Sequence, residues 1–438
     1  MPRLALSFRP GMVALTFATL LAACSGETPL PGDRIPVRPP EVPLSESDAR
    51  AVRPVGLPAP VMNAEWTHRN GSARGRLVNP AFATTPSLRW SVPIGEGDAR
   101  RRRILTGPIV ARGLVFTIDA AGQLSAVSQA TGQVVWSQSL VPPKQNSDSG
   151  IGGGFAYDAG VLYVTTGFGD VRAMDPATGA VFWTRTLEGP VRAAPTVEGG
   201  QVFVVSRNDV GYALDAKTGA TQWQVQGVGG TGLLGGASPA VDGTLAVMPF
   251  ASGEVLGIVA RNGLQLWGTA VTGGRRELAR NSIVDISGDP VIDGGTIYAS
   301  NQAGRTISLD AETGERRWTL SEGSYGPAWP VGGSVFLLSD EGGLLRVDAA
   351  TGRLIWQVAL PQYFNEKKRI EAIPHYGPIL AGGRLWVASG DELLRSFDPS
   401  TGAALGSVAL PGGAGAPPAI AGGVMYVVTR DGNLLAFQ

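Results

Sequence analysis

Asp310-Ala311-Glu312-Thr313-Gly314-Glu315-Arg316-Arg317-Trp318 is one copy of a pattern, Asp-x-x-Thr-Gly-x-x-x-Trp, that recurs along this chain. Further copies run from Asp175 to Trp183, Asp215 to Trp223 and Asp348 to Trp356. Degenerate copies run from Ser128 to Trp136 and Val259 to Trp267, and from Asp398 to Gly406, where the Trp is lost. The Gly markers are 47, 40, 44, 51, 38 and 50 residues apart. A period near 45 residues is that of a unit of four short strands, the size of a propeller blade.

The motif has a mechanical explanation. An Asp side chain accepts bonds from backbone N–H groups two residues on, and Gly supplies the positive φ that closes the turn. The Trp then opens an outermost strand, where a large flat side chain fills the wedge between neighbouring blades. Continuous β-branched and aromatic runs such as Val202 to Val205, Val335 to Leu338 and Met425 to Val428 read as strands buried between stacked blades. Segments such as Ala194-Pro195-Thr196 and Asp289-Pro290-Val291 place Pro at the start of innermost strands.

Trp90, Trp136, Trp183, Trp223, Trp267, Trp318, Trp356 and the Gly406 position mark eight outer strands. Trp90 has no complete blade before it, and residues 417–438 supply three strands with no fourth after them. The N-terminal strand is therefore expected to complete the C-terminal blade and remove the exposed sheet edges. The expected fold is all-β, an eight-bladed propeller of four-stranded antiparallel blades over residues 61–438.

Composition agrees and excludes several functions. The 62 Gly and 32 Pro of 438 residues suit many short elements joined by tight turns, while 43% apolar residues are too many for disorder. With 36 basic against 36 acidic residues there is no basic excess for nucleic acid. One Cys and two His argue against a disulfide, a Cys-based zinc site and a Ser/His hydrolase. No cofactor and no metal are expected.

Residues 1–23 carry Arg3 and Arg9 and then a mostly apolar run from Met12 to Ala23, too short to span a bilayer and read as a signal peptide. Leu21-Ala22-Ala23-Cys24 resembles the lipobox of bacterial lipoproteins, which implies acylation (palmitate among the chains) at Cys24. Ser25-Gly26 after it resembles the outer-membrane sorting class. Residues 24–60, with nine Pro from Pro29 onward, read as the lipidated Cys and an extended tether.

In a four-stranded meander the Thr-Gly turns share one face, and the connections from outer strand to next inner strand share the other. Those connections vary: 9 residues from Trp318 to Pro327, 16 from Trp223 to Pro239, 23 from Trp267 to Pro290 and 22 from Trp356 to Pro378. Long variable loops on a rigid scaffold are where binding residues gather, so function is expected on that face.

With these repeats and the lipobox, the chain resembles the BamB family of outer-membrane β-barrel assembly lipoproteins, built on pyrroloquinoline-quinone-type propeller repeats. The resemblance extends to Leu57-Pro58-Ala59-Pro60 and Trp66. It implies a non-enzymatic scaffold at the outer membrane, facing the periplasm and binding periplasmic domains of a BamA-like barrel assembly subunit. Direct contact with nascent outer-membrane proteins is left open. By the same resemblance the partner is met by a Leu-rich loop, here residues 232–239 with Leu233 and Leu234, and by a following loop, here residues 280–290 with Arg280 and Asp285. This chain departs from the family pattern at Gly235, where a basic residue is common, and at Ser287, which replaces a second acid. Arg280 also lies further from Asp285 than the family spacing implies.

Similar repeats build the quinoprotein alcohol dehydrogenases, the alternative reading. Those commonly carry an adjacent Cys pair beside the quinone, whereas Cys24 is alone and precedes the propeller. A carboxylate pair working on a propeller is a further enzymatic alternative. Two other stretches invite a binding role: Arg100, Arg101, Arg102 and Arg103 in the first long connection, and Tyr363 to Arg369, which mixes aromatic and basic residues.

Overall fold

In the computed structural model, which describes residues 54–150, 152–229, 236–273 and 285–438, eight four-stranded sheets follow one another around an axis. Seven are plain meanders. The eighth takes Ala419–Ala421, Val424–Val428 and Asn433–Phe437 from the C-terminus and Leu88–Pro93 from the N-terminal side. Leu88 lies opposite Phe437 and Pro93 opposite Asn433, so the ring closes as the repeat count requires.

The recurrent motif holds neighbouring blades together. Asp310 Oδ1 accepts from the N–H groups of Glu312 and Thr313, each at 3.0 Å, and fixes the turn. Gly314, at φ +71°, sits so close to Trp267 of the preceding blade that a Cβ there would meet its ring at 2.6 Å. Trp267 Nε1 in turn donates to Ala311 O at 3.1 Å. Trp136, Trp183, Trp223, Trp318 and Trp356 make the same bond to the following blade's turn, at 2.7–3.3 Å. In six blades the Trp also packs on a second-strand aromatic, as Trp318 does on Tyr298 at 5.9 Å. Turn, wedge and staple are thus one local unit, repeated.

Residues 61–82 form something the repeat did not announce. This segment passes along the axial edges of the inner strands and visits every blade in order. Gly422 N donates to Asn63 O at 2.7 Å in blade 8, and Trp66 exchanges bonds with Val110 in blade 1. Tyr157 N bonds Thr67 O in blade 2, and Val197 N bonds His68 Nε2 at 3.1 Å in blade 3. Val241 N reaches Ala73 O in blade 4, and Ile292 N reaches Arg74 O in blade 5. Trp329 Nε1 donates to Val78 O at 3.3 Å in blade 6, and Gly382 N donates to Pro80 O at 2.9 Å in blade 7. The circuit then shuts on itself where Val61 pairs with Pro80. Innermost strands otherwise present unpaired backbone groups to the axis; this strap satisfies one or more in seven blades and takes a side-chain bond from Trp329 in the other.

Side chains fasten the strap. Asp289, 4% exposed, accepts from Asn70 Nδ2 at 2.6 Å and from Ser238 N at 2.7 Å, and its carboxylate lies 3.3 Å from Arg69 Nε. Gly75 passes so near blade 5 that a Cβ would stand 2.6 Å from Pro290 O. Before the strap, Pro54 O accepts from buried Arg346 at 3.4 Å, while Arg346 also donates to Ser400 O at 2.9 Å. The chain therefore comes to the ring at blades 6 and 7, on the face of the Thr-Gly turns.

Candidate functional site

The opposite face carries the variable connections. Those singled out by sequence flank blade 4, and their described ends converge. Gly236 and Ala237, which lead into blade 4, and Asp285 and Ile286, which lead into blade 5, line one small cavity of about 30 Å³. Arg192, Ser206, Arg207, Pro249 and Phe250 of the surrounding blades also line it. Ser238 N on the first connection bonds Asp289 on the second inner strand, tying the two together beneath the surface.

Asp285, expected as a flanking charge on a loop, is instead 6% exposed, at the base of its connection. It partly offsets the repulsion between the neighbouring cations Arg192 and Arg207. Burial pushes the Arg192 guanidinium below its usual range and Arg207 pushes it further, while Asp285 acts the other way. Leu233, Leu234, Arg280 and Cys24 lie outside the described residues.

Sequence reasoning missed Asp209. It closes the Ser206–Asp209 turn of blade 3 at φ +58° and is fully buried. Its Oδ1 accepts from Ala251 N at 2.8 Å in blade 4, whereas Oδ2 is buried without a partner. Burial holds this carboxyl above its ordinary range, and Asp285 adds to the effect. Asn208-Asp209 in a short turn was the available signal, since both residue types tolerate positive φ.

The other two candidates also have places. Arg102 pairs with Glu96 at 2.6 Å and Asp148 at 3.2 Å, and Arg103 with Asp98 at 3.0 Å, so half of the four-Arg run is held in ion pairs; Arg100 and Arg101 are exposed. Tyr363 to Arg369 belongs to an added hairpin of Tyr363–Asn365 and Ile370–Ala372, outside the blades. Among the described residues no group of three or more His, Cys, Asp or Glu is placed to hold a metal ion.

A family profile described as "Outer membrane protein assembly factor BamB" matches residues 120–358 and 341–438. The chain belongs to the BamB family. It is 24% identical over 247 residues to the BamB of Yersinia pestis, covering 55% of this chain and 62% of that one. With the Pseudomonas aeruginosa protein it is 31% identical over 55% of this chain and 61% of the relative. These matches thus span about three-fifths of each relative's length. A Legionella pneumophila BamB matches more widely, at 27% identity over 79% of this chain and 86% of its own. Among solved structures, BamB from Moraxella catarrhalis superposes with a TM-score of 0.66 at 19% identity, over 81% of this chain and all of that one. A quinohemoprotein alcohol dehydrogenase from Comamonas testosteroni gives 0.63 at 15% identity, over 85% of this chain and 80% of its own. At such identities both likenesses concern the fold alone.

Proposed function

We propose that this chain is a scaffold of outer-membrane β-barrel protein assembly that binds the periplasmic domains of a BamA-like subunit through the variable-loop face at blades 3 to 5. Residues 1–23 act as signal peptide, acylated Cys24 holds the protein at the outer membrane facing the periplasm, residues 24–60 form the tether, and residues 61–438 are the propeller. Leu233 and Leu234 supply the apolar anchor, Arg280 a flanking charge, and Asp285 a support from below.

The observation that carries the reading is the convergence at one cavity of the described ends of both loops, Gly236-Ala237 and Asp285-Ile286. Two loops distant in sequence therefore leave the ring side by side, as a shared partner requires. A small apolar centre beside a flanking charge gives both burial and registry.

The test is co-purification of the barrel subunit from detergent-solubilised membranes. Leu233→Ala is expected to weaken capture by about thirtyfold, the effect of about 2 kcal/mol at a central anchor, with an unchanged thermal midpoint. Asp285 is too buried for that purpose, because its removal also disturbs the fold. Capture equal to wild type would move the partner site elsewhere. Cys24→Ala is expected to leave an unlipidated precursor that no longer partitions with outer membranes.

A further inference from the structure

The added hairpin stands between two clefts on the loop face, and the one toward blade 6 is built like a ligand site. It holds about 630 Å³, within the range of about 300–1,000 Å³ usual for pockets that enclose a ligand. Tyr363 and Ala372 of the hairpin form one wall, Tyr325 lies in the connection into blade 6, and Tyr376 belongs to the first strand of blade 7. Leu360 and Ile373 lie at its base, both buried.

The polar side chains of this cleft are largely engaged within the protein. His375 Nε2 lies 2.8 Å from Pro361 O and Nδ1 2.7 Å from Ser389 Oγ. The Gln362 amide donates to Glu341 O at 2.6 Å, the Tyr376 hydroxyl donates to Gly415 O at 2.7 Å, and Asp340 accepts from Gly323 N at 2.8 Å. A sugar or other polyol would find few unengaged partners. What the cleft offers is aromatic and aliphatic surface, with Tyr325 52% exposed.

Charge completes the description. Lys367, Lys368 and Arg369 at the hairpin tip are exposed, and their side chains make no ion pair among the described residues. Asp340 and Glu341 lie in the cleft on blade 6. The hairpin tip beside the cleft is therefore net basic, Glu366 being engaged by the N–H groups of Gln362 and Tyr363, and the blade 6 end of the cleft is acidic.

We infer that this cleft between blades 6 and 7 binds an extended, unfolded segment of a protein, taking an aromatic side chain between Tyr325, Tyr363 and Tyr376 with a neighbouring carboxylate against Lys367, Lys368 and Arg369. Aromatic walls accept an aromatic guest by offset or edge contacts, and Tyr does so at low cost in side-chain entropy. The acidic neighbour follows from charge complementarity, which sets orientation more than affinity. The site is separate from blades 3 to 5 and does not depend on the assembly subunit being the partner there.

The experiment is fluorescence anisotropy of the full propeller with dye-labelled peptides of sequence Ser-Asp-Phe-Asp-Ser, Ser-Asp-Ala-Asp-Ser and Ser-Lys-Phe-Lys-Ser. Saturable binding of the first is expected, weakened about tenfold or more when Phe is replaced by Ala and about tenfold by Tyr363→Ala. Lys367→Glu with Lys368→Glu is expected to reverse the preference between Asp-flanked and Lys-flanked peptides. Tyr325→Ala repeats the aromatic test if Tyr363→Ala alters the thermal midpoint. No saturable binding, or binding indifferent to the Phe and to both Tyr variants, overturns the inference. So does capture of the protein by phosphatidylethanolamine–phosphatidylglycerol vesicles through Lys367 and Lys368 with no peptide binding, which would assign the tip to a bilayer.

Discussion

The two faces of this ring are built on different principles. On the Thr-Gly face, turns of nearly one length repeat around the ring, and a strap of about twenty residues touches every blade by hydrogen bonds within 3.3 Å. On the loop face the connections differ in length and a two-stranded hairpin is added. The first face is where the ring is made one cooperative body. The second is where it varies, and a rigid first face allows the second to do so without loss of the fold.

The sharpest way to break this comparison is to remove residues 54–95, taking away strap and closing strand together. Eight inner edges would lose partners and the eighth blade its outer strand, so loss of any single cooperative melting transition is expected by calorimetry. An unaltered transition would mean that the ring closes by other contacts. Next in size is Asp289→Ala. It strands the partly buried Arg69 and leaves buried Asn70 and Ser238 N unmatched, so a destabilisation of about 3 kcal/mol is expected in denaturant titration. A loss below about 1 kcal/mol would show that the strap's side chains merely decorate its backbone bonds.

A third effect depends on pH. Burial lowers His68 from 6.5 to about 4. Below pH 6.5 the unfolded chain takes up a proton that the folded ring refuses until about pH 4. The stabilisation is thus complete above pH 6.5 and is lost as pH falls through that window, by about 3 kcal/mol in all. Unfolding free energies of wild type and His68→Gln, measured from pH 7.5 to pH 4, should differ in slope there. Parallel curves would show that the ring of His68 is hydrated in the fold.

What was legible in the sequence follows the same division. Asp310, Thr313, Gly314 and Trp318 act within nine residues of one another, and the Trp bonds a neighbour at a fixed period, so the repeat revealed blades, staples and closure together. The strap was not legible. Its contacts are mostly backbone bonds, indifferent to side-chain type, and its fastening pairs Asn70 with Asp289 across 219 residues without any period to expose them. On the loop face, length picked the face and the family resemblance picked the pair of connections, while burial of Asp285 depends on turns from blades 3 and 4 that no pattern links to it.

The smallest expected effect sharpens the contrast from the loop side. Phe364 is the hairpin's contact with the body: the Arg430 guanidinium lies 5.4 Å from its ring, and Arg430 also approaches Asp98, which Arg103 holds. The contact ties blades 7, 8 and 1, so it resembles the strap in reach. It differs in burial, since Phe364 is 45% exposed, and a cation over an exposed ring contributes only about 0.5–1 kcal/mol. Removing the ring leaves Asp98 to satisfy Arg430, and no blade strand loses a neighbour. Phe364→Ala should therefore lower the unfolding free energy by less than about 1 kcal/mol, while hydrogen exchange quickens in residues 363–372 alone. A loss as large as that from Asp289→Ala would place the hairpin inside the cooperative unit, and the division of labour between the two faces would fail.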